Sequence, residues 1–377
     1  MKSKKYNNIK LGIRIFKGIT SFILIVGFVY FHFSLVLENF LRHYISNGYL
    51  LFLAFILLTG FTGILLFFPI NFYRDYYLEH KYDLSNQTFG KWIFENFKGL
   101  VISLIIGIPI LLIFYYMLNK FGEFWWLPFA FILFIISVVA ARLIPVVILP
   151  LFYKITPFDN EELKIRITRI AEDSGIKVEN IFKFNMSKNT RKANAAFTGL
   201  GKSKRILLGD TLLDNYSNDE IETVIAHELG HYKRKHIIKN IIIGTTASFG
   251  TLFLIAYLYS ISLNWFGFVK LQEVAALPIL PIWAMLIGLI ETPLTNILSR
   301  KFEYEADEYA IAITNKPSAF ITTLNKLTDQ NLADIQPHPL VEWFFYSHPS
   351  IKKRVSAIRK YMIECGIKED DISLEEI

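Results

Sequence analysis

The sequence predicts a mainly α-helical, polytopic membrane protein with about six transmembrane helices and a small cytoplasmic α+β unit. Three observations predict it. Of 377 residues, 53% are hydrophobic and the mean hydropathy is +0.37, above the roughly 45–50% apolar share of soluble domains. Six stretches meet or approach the about 20 largely uncharged residues needed to cross the hydrocarbon core. The formal charge of +7 comes from Lys and Arg that flank those stretches, the distribution of a chain oriented by the positive-inside rule. Without a basic stripe or stacking platform, nucleic acid is excluded as a partner.

The six stretches are 18–37, 50–70, 99–118, 124–141, 240–263 and 274–290. The basic start, Met1 to Lys10, leads into an apolar run too long for a signal-peptide core and without a small-residue cleavage site, so it reads as a retained anchor. The fourth stretch is short before Arg142, but 143–152 continues it with two prolines. The sixth is interrupted at Glu291 and then resumes; a carboxyl there is expensive in lipid and should face a polar cavity. Phe124, Trp125 and Trp126 sit where a span meets the headgroups. Lys2, Lys4, Lys5 and Lys10 place the N-terminus in the cytoplasm, together with the 71–98 loop, which carries Arg74, Lys81, Lys91 and Lys98. An even number of crossings then returns 153–239 and the C-terminal tail to the same side.

Four segments follow: 1–152 with four spans, 153–239 as a cytoplasmic unit, 240–298 with two spans, and 299–377 as a charged, helical tail. Within 153–239 the pattern predicts an amphipathic helix over 161–174 and strands over 180–185 and 205–208, with the polar turn 199–204 between. A helix over 217–236 is expected to run on into the fifth span. A single cysteine, Cys365, allows no internal disulfide or CxxC pair and is compatible with a reducing compartment.

The chemistry concentrates in 218–231. Ser217 is an N-cap and Glu220 its capping-box partner, so a helix starts there. On it His227 and His231 lie one turn apart on one face, able to meet a single tetrahedral cation. Glu228 is too near in sequence to be a third ligand, but well placed to touch an activated water; this is the physical content of an HExxH motif. A bare HExxH also arises as an exposed histidine pair. Here a second acidic helix, 299–307, follows the last span. Its Glu303 and Asp307 are spaced i, i+4, so one can bind the metal while the other braces a ligand histidine. Glu305 points elsewhere and is a decoy. His236 is expected on another face, at the membrane interface, and His32, His43 and His80 are read as structural. Arg354 is expected in a structural salt bridge.

In "VIAHELGHYKRKH", "SRKFEYEADEYA", "RILLGDTLL", "NAAFTGLG", "LPLFYKITPF", "SHPSIKKRV" and "EHKYDLSNQT" the chain resembles the type I CAAX prenyl proteases, integral-membrane zinc metalloendopeptidases with a gluzincin-like site. The resemblance runs from about residue 70 to 360, with one span fewer at the N-terminus than the seven typical of eukaryotic members. It implies one Zn²⁺ held by His227, His231 and Glu303, with Asp307 as the supporting carboxylate. It also implies Asn194 beside the substrate backbone and His348 at the oxyanion. On the residues alone, Asn194 reads equally as a turn residue and His348 as shaping a turn before Pro349.

The expected reaction is amide hydrolysis, with Glu228 as general base. An extended peptide is expected to lie on the edge of the strand at 205–208. The partners are a peptide or protein substrate, lipidated in the CAAX reading, and the bilayer. Two alternatives stand beside it: an HtpX-like quality-control protease cutting membrane proteins, and a non-catalytic zinc-binding transporter or scaffold.

Overall fold

The computed structural model describes residues 2–175, 180–198 and 205–366. The membrane part is built from α1 (Lys2–Tyr30), the short α2 (Phe33–Tyr44), α3 (Gly48–Phe72), α4 (Phe89–Phe121) and α5 (Trp126–Leu143). The outer unit comprises β1 (Ile155–Pro157), α6 (Glu161–Asp173), β2 (Asn180–Phe184), β3 (Ala195–Thr198), β4 (Arg205–Gly209) and α7 (Asn218–Lys233). Two long helices follow, α8 (His236–Ser262) and α9 (Ile279–Thr314), and then α10 (Pro317–Gln330), α11 (Pro339–Phe345) and α12 (Ile351–Glu364).

Among the described residues, six helices are long and apolar enough to cross a membrane. Their apolar side chains largely face outward, as with Phe16, Phe61, Ile105 and Ile135. Lipid tails leave that surface unpenalised, and a helix satisfies every backbone polar group internally, so these spans suit a bilayer and not water. The chain is a multi-pass membrane protein. Starts are capped where sequence supplies an acceptor: Asn47 takes the Tyr49 and Leu50 N–H groups, and Thr88 takes that of Lys91. The two prolines after Leu143 do not end the fourth span. Pro145 lies in a π-turn, Ile144–Ile148, whose extra residue absorbs the missing N–H, and the span continues to Phe152.

The two ends of the bundle are tied differently. At one, Val29, Leu51, Phe52, Tyr259 and Val274 pack together, and buried Glu38 accepts the Ala275 N–H at 2.6 Å while pairing with Arg42. At the other, Glu79 accepts the Tyr6 hydroxyl and pairs with Lys10 at 2.8 Å and Lys192 at 2.9 Å. That cluster puts the start of α1, the turn after α3 and the loop before β3 on one face of the molecule.

The sheet has the order β1-β2-β4-β3, with β2 and β4 parallel and the other pairs antiparallel. This corrects one expectation. The strand at Arg205–Gly209 is interior, because Ala195–Thr198 forms a further strand beside it, and β3 is the edge. Two alanines and no clear alternation hide that strand in the sequence. The polar turn expected at 199–204 lies outside the described residues.

Two helix expectations are also corrected. The HExxH helix does not run into the fifth span; it ends at Lys233, and Lys235 takes a left-handed φ of 58° before α8 begins at His236. The last span is not interrupted at Glu291, whose carboxylate accepts the Thr251 hydroxyl at 2.9 Å. It runs unbroken for 36 residues to Thr314, so a division at 298/299 falls inside one helix. The outer unit has its own core of Leu163, Ile167, Leu208, Ile225, Leu229, Ile311 and Phe320, joining the sheet, α6, α7, α9 and α10.

Candidate metal centre

Ser217 and Glu220 form a reciprocal capping box, fixing where α7 starts and thereby which face it turns to α9. Gly230 sets how closely the helices approach: a Cβ there would lie 3.1 Å from the Ala306 Cα and carbonyl oxygen and 3.2 Å from Tyr309 Cβ. With no side chain between the backbones, the His227 and His231 rings reach the Glu303 carboxylate. Their Nε2 atoms lie 3.2 Å apart, His227 Nε2 lies 3.5 Å from Glu303 Oε2, and His231 Nε2 lies 3.4 Å from Glu303 Oε1. Among the described residues these three form the one group of His, Cys, Asp or Glu whose donor atoms converge as a metal site requires. Glu303 Oε2 is buried without a hydrogen-bond partner. A buried carboxylate oxygen facing imidazole nitrogens is the donor set a divalent cation satisfies.

Asp307, one turn after Glu303, takes the other nitrogen of the first histidine, with His227 Nδ1 2.9 Å from its Oδ1. Arg354 on α12 donates to both oxygens of Asp307, Nε to Oδ2 at 2.8 Å and Nη2 to Oδ1. It therefore makes the expected salt bridge. Burial disfavours charge on the His227 ring, but its contacts with Asp307 and Glu303 outweigh that and push its pKa up to about 9. The Arg354 side chain is largely enclosed, 12% exposed, and the Asp307 and Glu303 carboxylates hold its guanidinium firmly charged.

The remaining predicted residues line one cleft. Asn194, His227, Glu228, Glu303, His348 and Arg354 share a cavity of about 420 Å³, whose apolar walls include Val224, Phe320 and Leu324. Asn194 sits just before edge strand β3, its carbonyl accepting the Gly209 N–H at 3.0 Å. Gly209 is required there, since a Cβ would come within 2.8 Å of that carbonyl. His348 stands exposed at the mouth, Nε2 3.4 Å from Glu303 Oε1, and Ser347 Oγ is 3.0 Å from its Nδ1.

Two expectations are corrected. His236 does not turn away from His231: it is 1% exposed, with its Nδ1 3.0 Å from His231 Nδ1. Glu305 is not idle: its Oε2 lies 2.9 Å from His236 Nε2. A continuous helix would set His236 about 140° around from His231. The left-handed Lys235 reverses that, and no residue at this position signals it. His80 bonds the Tyr76 and Gln87 carbonyls, as a structural histidine does.

Comparisons with known proteins place the chain in a family. A family model described as peptidase family M48 matches residues 157–362. A second, described as CAAX prenyl protease N-terminal with five membrane helices, matches residues 1–154. This chain has four candidate spans in that region, plus the 12-residue α2. CAAX prenyl protease 1 of Saccharomyces cerevisiae is 34% identical over 326 residues, covering 81% of this chain and 71% of the yeast protein. The Bacillus subtilis metalloprotease YhfN is 31% identical over 322 residues, covering 81% of this chain and 73% of its own. The crystal structure of Ste24p from S. mikatae superposes with a TM-score of 0.84 at 30% identity, covering 95% of this chain and 88% of that one. A paired-histidine and glutamate cluster on a multi-pass helical frame, matched over nearly its whole length, makes the chain a membrane metalloendopeptidase belonging to peptidase family M48.

Proposed function

We propose that this protein is a zinc endopeptidase that cuts near the C-terminus of prenylated, CAAX-type proteins, with its active site and both termini facing the cytoplasm. The observation that carries the metal assignment is the triangle of donor atoms. One donor atom from each of the three residues lies within 4.8 Å of the others; the two Nε2 atoms are 3.2 Å apart, and each has a Glu303 oxygen at 3.4–3.5 Å, Oε1 for His231 and Oε2 for His227, near the roughly 3.3 Å between ligands about 2.05 Å from a tetrahedral ion. His227, His231 and Glu303 are the ligands and leave a fourth position open. When bound, zinc supplies Lewis-acid activation of a water and of the scissile carbonyl.

The protein's own groups do the rest. The Glu228 carboxylate takes the water's proton and delivers it to the leaving amide nitrogen. Asp307, clamped by Arg354, accepts a hydrogen bond from His227 Nδ1 and so would leave Nε2 free to hold a metal. His348 at the mouth donates to the developing oxyanion. The peptide backbone lies along β3, the sheet's open edge, with Asn194 beside it. The substrate class is supported by relatives named CAAX prenyl protease 1 in yeast and, as homologs, in plants and animals. The orientation is supported by the basic flank of α1.

The test uses detergent-purified protein, a farnesylated CAAX peptide and its unlipidated twin, with and without chelator. Chelator-reversible cleavage that strongly prefers the lipidated peptide is expected. Equal cleavage of both overturns the prenyl reading in favour of a quality-control protease, and cleavage untouched by chelator overturns the metal reading.

A further inference from the structure

We propose that His236 and Glu305 form a carboxylate–imidazole relay that fixes the tautomer and aim of His231, making both of them positioning residues for the metal. This rests on the reading of His231 as a ligand.

The argument is one of donors and acceptors. The Glu305 carboxylate only accepts, so the facing His236 Nε2, 2.9 Å away, carries the proton. His236 Nδ1 is then a lone pair. It faces His231 Nδ1 at 3.0 Å, and two lone pairs do not face each other at that distance, so His231 Nδ1 carries a proton. That leaves the His231 Nε2 lone pair directed at Glu303 and His227. Asp307 faces the His227 Nδ1 in the same way from the opposite side, at 2.9 Å. The two histidines are thus backed by matched arrangements, one carboxylate acting directly on His227 and the other on His231 through an intervening imidazole.

The relay is built rather than incidental. His236 is 1% exposed and stacks on Phe302, with ring centroids 4.3 Å apart and planes 12° apart. Its orientation follows from the left-handed Lys235. Lys239 at 3.6 Å and Lys301 at 4.0 Å keep a positive field on Glu305. Phe302 and Glu305 both belong to α9, the helix that carries Glu303, so the second half of the site is keyed to the same element as its carboxylate ligand.

The experiment measures zinc affinity by competition with a chromophoric chelator, on full-length protein in detergent, beside the absorption spectrum of the cobalt-loaded form. His236→Leu removes the acceptor for His231. His236→Asn returns one, since its amide oxygen can take the Nδ1 proton. Glu305→Leu removes the far end of the relay without changing the buried ring. The relay predicts roughly 10- to 100-fold weaker zinc binding for His236→Leu, a smaller loss for Glu305→Leu, and His236→Asn within a few-fold of wild type. A shifted cobalt spectrum is expected in both leucine variants. Wild-type affinity and spectrum in folded His236→Leu and Glu305→Leu overturn the relay while leaving the zinc reading intact. A similar fall in the asparagine and leucine variants at 236 also overturns it, in favour of a packing role. A wild-type protein that binds no zinc overturns both.

Discussion

Arg354 grips Asp307 through two parallel hydrogen bonds while Asp307 Oδ1 lies 2.9 Å from His227 Nδ1, so an arginine 127 residues along the chain governs how a candidate ligand points. Asp307 and His227 are buried and the Arg354 side chain is only 12% exposed, and a largely buried charge that loses its partner costs far more than the pair contributes.

Replacing Arg354 with methionine therefore leaves Asp307 uncompensated. A loss of about 3–5 kcal/mol in stability is expected, with metal affinity falling at least roughly tenfold. Arg354→Lys should be intermediate, because an ammonium cannot span both oxygens. Thermal unfolding with and without zinc is the measurement, and an unchanged Arg354→Met protein would contradict the clamp.

Glu228→Gln separates binding from chemistry. The amide cannot take a proton, so turnover should drop by about 10²–10⁴-fold. Zinc content should stay near one per chain, since Glu228 is not in the donor triangle. Metal analysis alongside peptide cleavage decides, and substantial residual turnover would end the assignment of this residue as base.

The raised pKa of His227 gives a signed pH dependence. In the metal-free chain its folded value is about 9 against an ordinary 6.5. The proton's contribution to stability is fully present below pH 6.5 and is lost as pH rises through 9. Metal binding must displace that proton, so through this group zinc affinity should climb with pH, by up to about tenfold per unit, and level off above 9. Unfolding of chelated protein and zinc competition across pH 6–10 test the two signs; an affinity that falls as pH rises would refute the assignment.

Gly230→Ala tests the spacing of the two site helices. Its Cβ meets backbone at 3.1 Å, which only a shift of α7 against α9 can relieve. A loss of about 1–3 kcal/mol is expected, with peptidase activity reduced more than the melting temperature alone would suggest. Wild-type activity and stability together would show that the interface can yield.

The span pattern, the capping box and the two chemistry-bearing turns were legible because each is local. Hydropathy marks a helix wherever it lies, and i, i+4 spacing puts His227 and His231 on one face without any knowledge of the fold. What stayed hidden depends on contacts or on single backbone angles. The placing of Ala195–Thr198 at the sheet edge follows from pairing between segments. The turn at Lys235, and with it the burial of His236, follows from one left-handed residue that is not glycine. The identity of Glu305's partner follows from that turn in its own right. The uninterrupted run through Glu291 was obscured because a charged residue reads as a break, whereas Thr251 on the neighbouring helix satisfies it.

α9 is continuous from Ile279 to Thr314, so its membrane-spanning portion and Glu303 belong to one element. Glu303 sits about 36 Å along it at 1.5 Å per residue, in the same continuous helix as the apolar portion, with one internal proline, Pro293, between them. A sliding or tilting of the span, as a thinner or thicker bilayer imposes, moves Glu303 against rings carried on a different helix. Peptidase rates in bilayers of different thickness are therefore expected to differ, and equal rates would show that the helix absorbs the strain before Glu303.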